Sequence, residues 1–394
     1  MAKTVVVGPD ESSTKIPFLR GILTRSLQDI GLSFEEAYAL ADAVRDELDD
    51  TTEVTTDDLR DKVVRHLEEF GPTVVRRYRQ PQSTPGTVLV RDAGGHTTQF
   101  SREQHRQILE SSGLTYEEST AVTSTLYRHM MERGMAEIRS RDLGLLTYRY
   151  LRLTKGATAA RRYLALVNYL KGTVPFVLLI GGAPGTGKSA IATEIAHRME
   201  IARVQSTDLL REVMRMMMPK RLIPVLHRSS YDAWKAIFED STLDDDGDAM
   251  LVEGYRAQAN LLSVPCEAVI RRSMREQTSL IIEGVHVQKS LVEKVPEDAE
   301  AIVVVMMLSV VNPANLRERF EGRGQQIDKR RAERYLQQFD AIWRLQSHLL
   351  FEADRGHVPI IVNNNREQVV RDSMGVIVDA LVERLDATPA EVFT

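Results

Sequence analysis

Apolar residues are distributed differently in the two halves of the chain. In the second half they gather into short unbroken runs: Phe176-Val-Leu-Leu-Ile180, Leu280 to Ile282, Ile302 to Leu308 and Pro359 to Val362. Such runs lack the alternation of a half-solvated strand and suit strands covered on both faces. A weaker run, Ala202 to Val204, predicts one more strand, and the stretches between the runs have helical spacing. The pattern therefore predicts an α/β domain over 171–394, a doubly wound parallel sheet flanked by helices.

The first half repeats itself. Gly31-Leu-Ser-Phe-Glu-Glu36 returns as Gly113-Leu-Thr-Tyr-Glu-Glu118, and Arg76-Arg77-Tyr78 returns as Arg161-Arg162-Tyr163. Each copy opens with a valine-rich run (Thr4 to Val7; Thr87 to Val90) and a polar turn (Gly8-Pro9-Asp10; Asp92 to Gly95). Ser33 with Glu36, and Thr115 with Glu118, have the spacing of capping boxes that start helices. Two small, mostly helical α+β modules are expected, over 1–79 and 87–170. Between them Gln80-Pro-Gln-Ser-Thr-Pro-Gly86 collects turn formers with nothing apolar to bury, a linker at 80–86.

A length of 394 residues fits several folded units, and 43% hydrophobic with 27% charged residues fits a chain that buries real cores. The net charge of −5 supplies no overall positive field for a nucleic-acid backbone. The single cysteine, Cys266, excludes an intramolecular disulfide and a thiolate-rich zinc site, as expected of a cytoplasmic protein. The best apolar run, Ala301 to Val311, is too short to span a bilayer, so no membrane partner is expected. Met1 to Asp10 lacks the features of a secretory signal.

Directly after the first apolar run stands Gly182-Ala183-Pro184-Gly185-Thr186-Gly187-Lys188-Ser189, followed by a helical stretch from Ala190 to Met199. This is a complete P-loop in its strand-to-helix context. Glycines turn successive backbone N–H groups inward, and the helix start adds partial positive charge, so phosphate is held mostly by backbone. Lys188 reaches the β and γ phosphates, and Ser189 offers its hydroxyl to Mg²⁺. ATP and Mg²⁺ are the implied cofactors. The motif names a site and not a reaction. An Asn-Lys-x-Asp base-reading segment, expected of a GTPase, and the paired acids of an AAA-type motor are both missing.

Other candidates sit where strands end. Glu283 closes Leu280-Ile-Ile-Glu283, the position of a magnesium ligand or a group that holds its waters. Asp208 follows Ala202 to Val204 and either accepts the proton of an acceptor hydroxyl or orients it; its structural alternative is an N-cap for a helix from Leu209. Arg319 and Arg323, four apart, share a helix face that suits a lid over the transferring phosphoryl group. Between the second and third strands, Arg211 and Leu226-His227-Arg228-Ser229-Ser230-Tyr231-Asp232-Ala233-Trp234 are dense in donors for an anion. An acidic acceptor is implied.

These residues resemble the 2-phosphoglycerate kinase family, through the P-loop, the segment 226–234, Ile281-Ile-Glu-Gly-Val-His286, Arg334-Tyr-Leu-Gln-Gln-Phe-Asp340 and Val358-Pro-Ile-Ile-Val-Asn363. The resemblance covers most of residues 172–370. It implies transfer of the γ phosphate of ATP to the 3-hydroxyl of 2-phosphoglycerate, giving 2,3-bisphosphoglycerate. The repeated modules resemble ATP-cones, small regulatory nucleotide-binding domains. They depart from that pattern in being tandem and in the first-strand turn, where Val6-Val-Gly-Pro-Asp10 and Arg91-Asp92 replace the usual basic pair. An assembly surface between copies of the chain is the other role they fit. Two alternatives remain open at this stage: a P-loop kinase of another small metabolite or of a polynucleotide end, and an ATP-sensing regulator without transferase activity. No basic channel with stacking aromatics favours a polynucleotide.

Overall fold

A computed structural model describes residues 5–7, 16–29, 32–48, 52–79, 88–238, 247–296, 298–323 and 329–393. They form two compact units that divide between Thr87 and Val88. The predicted linker 80–86, the turn Gly8-Pro9-Asp10 and Gly31 lie outside the described residues.

In the first unit, β1 (Val5–Val7) pairs antiparallel with β2 (Ile16–Pro17) and parallel with β3 (Glu53–Thr55). The helices are α1 (Arg20–Asp29), α2 (Phe34–Asp46), α3 (Thr56–Leu67) and α4 (Pro72–Arg79). Leu27, Leu40, Val44, Val63 and Leu67 fill the core between them. The second unit opens on the same plan: β4 (Leu89–Arg91) pairs antiparallel with β5 (Thr97–Gln99) and parallel with β6 (Glu137–Arg139). Here the helices are α5 (Arg102–Ser111), α6 (Tyr116–Glu132), α7 (Ser140–Thr154) and α8 (Ala157–Lys171). The sequence repeat is therefore a repeat of topology. Both capping boxes form, Ser33 with Glu36 at α2 and Thr115 with Glu118 at α6, each satisfying backbone N–H groups that a helix start leaves unpaired.

The rest of the second unit runs β7 (Phe176–Gly181), α9 (Lys188–Arg198), β8 (Val204–Ser206), α10 (Thr207–Met217), α11 (Gly247–Arg275), β9 (Leu280–Glu283), β10 (Ile302–Ser309), α12 (Pro313–Arg323), α13 (Lys329–Gln337), α14 (Phe339–Arg355), β11 (Ile360–Val362) and α15 (Arg366–Arg384). The five strands lie in the order β11-β10-β7-β9-β8, every pair parallel. Leu178 and Ile180 of β7 face α8, α9 and α15, while Val177 and Leu179 face α11, which is why the run has no polar alternation. Cys266 of α11 is packed among those residues, and burial pushes its thiol up to about 12, so it is a small apolar group at neutral pH. The strand expected at Ala202 to Val204 is shifted to Val204–Ser206. Pairing with β9 sets this register, placing Ser206 opposite Glu283, so polar residues occupy the strand's carboxyl end.

Residues 88–394 are one compact unit, so the expected boundary at 170/171 runs through continuous packing. Helix α8 gives Tyr163 and Leu164 to the core of the second repeat, and Ala165, Leu166 and Tyr169 to the core against the sheet. Arg162 donates two hydrogen bonds to the Asp379 carboxylate of α15, at 2.8 and 2.7 Å. Phe393 stacks on Tyr163.

A buried histidine in the second repeat makes stability depend on pH. His105 Nε2 donates to Thr147 Oγ1, whose own hydroxyl donates to Leu143 O, so Nδ1 accepts from Thr123. Both ring nitrogens are satisfied in the neutral form, and burial holds the pKa down at about 4. Between that value and the ordinary histidine value the unfolded chain binds more protons than the native one, so stability falls as pH falls. At pH 5 the loss is about 2 kcal/mol from this one group. Thermal unfolding at pH 7.5 and pH 5 should show a lower Tm in acid, and His105→Gln should reduce that dependence; an unchanged slope would contradict the assignment.

Candidate active site

Sequence places the phosphate cradle after β7, and the topology explains why a ligand belongs there. β7 is central, and the chain crosses to one side of it and then the other, so a crevice opens beyond the carboxyl ends of the strands. Gly182, Gly185 and Gly187 all have φ in the left-handed half of the map, at 145°, 87° and 89°. A Cβ on Gly187 would sit 2.6 Å from Asn363 Nδ2, so these positions need glycine for both conformation and space. Thr186 Oγ1 donates to Ala183 O, and Asn363 Nδ2 donates to Thr186 O, bracing the loop from β11. Lys188 is 9% exposed and its Nζ donates to Ala183 O at 2.8 Å. It stands at the first turn of α9, where unpaired backbone N–H groups add positive potential.

Ser189 Oγ donates to Glu283 Oε1 at 2.9 Å, and Glu283 is buried at the end of β9. Two hard oxygen donors thus meet beside the cradle, the chemistry that suits Mg²⁺, an ion that keeps several waters and takes further ligands from phosphate. Asp208 lies in the first turn of α10, its carboxylate 3.7 Å from Arg211 Nη2. Ser206 is the N-cap, donated to by the Asp208 amide, so the alternative in which Asp208 caps the helix does not apply and its carboxylate is directed elsewhere.

One cleft of about 630 Å³ joins these groups to the acceptor segment. Lys188, Ser189, Glu283, Asp208 and Arg211 line it, and so do His227, Arg228, Ser229, Ser230 and Tyr231. His227 Nε2 is 2.9 Å from Met218 O, and Arg211 Nη1 donates to Arg228 O. Arg319 donates to both Asn363 O and Asn363 Oδ1, so it braces the cradle from α12 through the same asparagine that holds Thr186. The side chain of Arg323, predicted to share the lid, lies outside the described residues.

The cleft also holds residues that sequence reasoning did not select. Arg215, one turn beyond Arg211 on α10, lines it, and the Nε atoms of both arginines are buried without a hydrogen-bond partner. The i, i+4 spacing from Arg211 was an available signal. Arg334 of α13 donates to Ser229 Oγ at 3.1 Å, and Tyr335 packs edge-on against Tyr231, so α13 closes on the acceptor segment. Nothing local in the sequence announces these pairings, which join residues more than a hundred positions apart.

The family model of an AAA domain matches residues 178–340, from within β7 to the start of α14. The 2-phosphoglycerate kinase of Pyrococcus horikoshii is 31% identical over 285 residues, 72% of this chain and 91% of that relative. The chain belongs to the 2-phosphoglycerate kinase family. The family's enzyme from Methanocaldococcus jannaschii is 32% identical over 283 residues, 72% of this chain and 88% of the relative. That from Methanopyrus kandleri is 27% identical over 372 residues, 94% of this chain and 86% of the relative. Family membership agrees with a P-loop kinase built on a parallel sheet. Among the described residues, no helix is long and apolar enough to cross a membrane.

Proposed function

We propose that the chain transfers the γ phosphate of ATP to the 3-hydroxyl of 2-phosphoglycerate, releasing ADP and 2,3-bisphosphoglycerate. The observation that carries this is the shared cleft: the P-loop, the Ser189–Glu283 pair and Asp208 line the same space as Arg211, Arg215, Arg228 and Arg334. An acceptor bearing a phosphate and a carboxylate suits paired arginine forks; Arg215 is ion-paired with Glu212 and Arg211 lies 3.7 Å from both Asp208 and Glu212, and the buried Nε–H groups of the two arginines are left without a hydrogen-bond partner.

In the transfer, the bond from the γ phosphorus to the bridging oxygen of ADP breaks and a bond to the acceptor's 3-oxygen forms. Phosphoryl transfer of this kind depends mainly on positioning and on stabilising charge. Lys188 and the amides of the cradle hold the phosphates, Arg319 fixes the cradle's outer wall, and Asp208 orients the hydroxyl and takes its proton. Ser189 and Glu283 would hold Mg²⁺, which neutralises charge on the β and γ phosphates. Arg211, Arg215, Arg228 and the serines Ser229 and Ser230 hold the acceptor, with His227 and Tyr231 shaping its loop. The two repeats, 1–79 and 87–170, we assign to ATP-cone-like modules that regulate or assemble the kinase domain at 171–394.

Purified protein with labelled ATP, Mg²⁺ and a panel of phosphoglycerates and sugar phosphates tests the reaction. ADP release that depends on 2-phosphoglycerate is expected, and its absence across the panel rejects the reading. Arg228→Ala should raise the acceptor KM by about tenfold to a hundredfold while changing the ATP KM less than threefold, given about 1.5–3 kcal/mol for a charge-assisted hydrogen bond. An unchanged acceptor KM removes Arg228 from the site.

A further inference from the structure

Behind the cleft, three buried side chains form a single line of hydrogen bonds. Thr207 Oγ1 lies 3.0 Å from His286 Nδ1, and His286 Nε2 lies 2.8 Å from Gln258 Oε1. Gln258 Nε2 then donates to Val225 O at 2.7 Å and to Arg228 O at 3.0 Å. Because the amide nitrogen serves the two carbonyls, its oxygen must face His286. Nε2 therefore carries the ring proton, and Nδ1 accepts from the Thr207 hydroxyl. The direction of donation is fixed from end to end.

Each end of this line meets a different part of the site. Thr207 immediately precedes Asp208; His286 follows Glu283 on the segment leaving β9; Val225 and Arg228 frame the acceptor loop. Thr207 and Gln258 are 0% exposed and His286 is 3% exposed, and none of the three lines the cleft. Contact at the Thr207 end is close: a Cβ on Gly284, where φ is 153°, would fall 1.8 Å from Thr207 Oγ1. Tyr255 stacks on the His286 ring and donates to Val285 O. Arg211 grips the same Arg228 carbonyl that Gln258 holds.

Resting on the phosphotransfer reading above, we propose that Thr207, His286 and Gln258 are positioning residues that set the acceptor loop at a fixed distance from Asp208 and the cradle. Burial holds the histidine neutral, at a pKa of about 3, as this pattern of donation requires. A chain that only stabilised the fold would affect both substrates alike. One that places the acceptor affects that substrate selectively, because a displacement of about 1 Å costs on the order of 10²-fold in rate.

The test uses the full chain carrying Gln258→Met, Thr207→Val, or both. Gln258→Met should raise the acceptor KM at least tenfold and leave the ATP KM within twofold. Thr207→Val should lower kcat at least fivefold, and the double variant should be no worse than the product of a twofold change on the more impaired single variant, since both break one line. Equal rises in the two KM values, or effects that multiply, would overturn the proposal. Hydrogen exchange supplies a readout independent of turnover: amides over 224–232 should exchange at least tenfold faster in Gln258→Met while those of 188–198 do not change. Unaltered exchange over 224–232 also overturns it. Loss of acceptor-dependent ADP release in the parent protein would instead reject the phosphotransfer reading and leave the exchange result to decide the positioning chain.

Discussion

Replacing Lys188 with alanine should lower kcat for acceptor-dependent ADP release by about 10³-fold, the size of effect seen when a preorganised charge donor is removed from a developing anion. The ATP requirement should rise far less, because the glycine amides and the start of α9 still present their N–H groups to phosphate. The side chain is buried against Ala183 O, so its removal leaves a small void and not an unpaired charge, and the protein should retain a cooperative thermal transition. Lys188→Arg should not restore the rate, since the planar guanidinium is larger and needs a different approach to oxygen. A kcat within tenfold of the parent value in Lys188→Ala would place the chemistry elsewhere.

Asp208→Asn is the second substitution with a large expected consequence, a fall in kcat of about 10²- to 10³-fold with little change in either KM. The amide keeps the size and can still orient a hydroxyl, but it does not accept a proton. Ser206 caps α10 without help from Asp208, so the helix start survives the change and lost activity reports on chemistry. Asp208→Glu keeps the charge on a longer stem and should recover part of the rate. If Asp208→Asn retains more than a third of kcat, the carboxylate does no more than hold the hydroxyl in place.

The parts of this molecule that were legible in the sequence are those written over short spans. The cradle is eight consecutive residues between a buried strand and a helix, and the capping boxes are pairs three residues apart, so spacing alone carried them. The sequence reads β8 two residues early because Gln205 and Ser206 are polar; their strand character comes from pairing with Ile282 and Glu283. The acceptor loop was found through its density of donors, yet its supports were not. Gln258 reaches Val225 and Arg228 from the middle of α11, and Arg334 reaches Ser229 from α13, contacts made by the folded arrangement of helices with no local signature. The merging of the second repeat with the sheet was hidden for a similar reason: α8 is apolar on two faces, and periodicity does not say which neighbour each face meets.

That double-sided helix limits how the enzyme is dissected. Cutting after Lys171 to isolate the nucleotide-binding half would strip Leu166 and Tyr169 from Phe176 and the rest of the sheet's flank, uncovering a greasy surface that invites aggregation. A fragment that starts at Val88 keeps this cover, so the question of what the leading repeat contributes is best asked by comparing that fragment with the whole polypeptide.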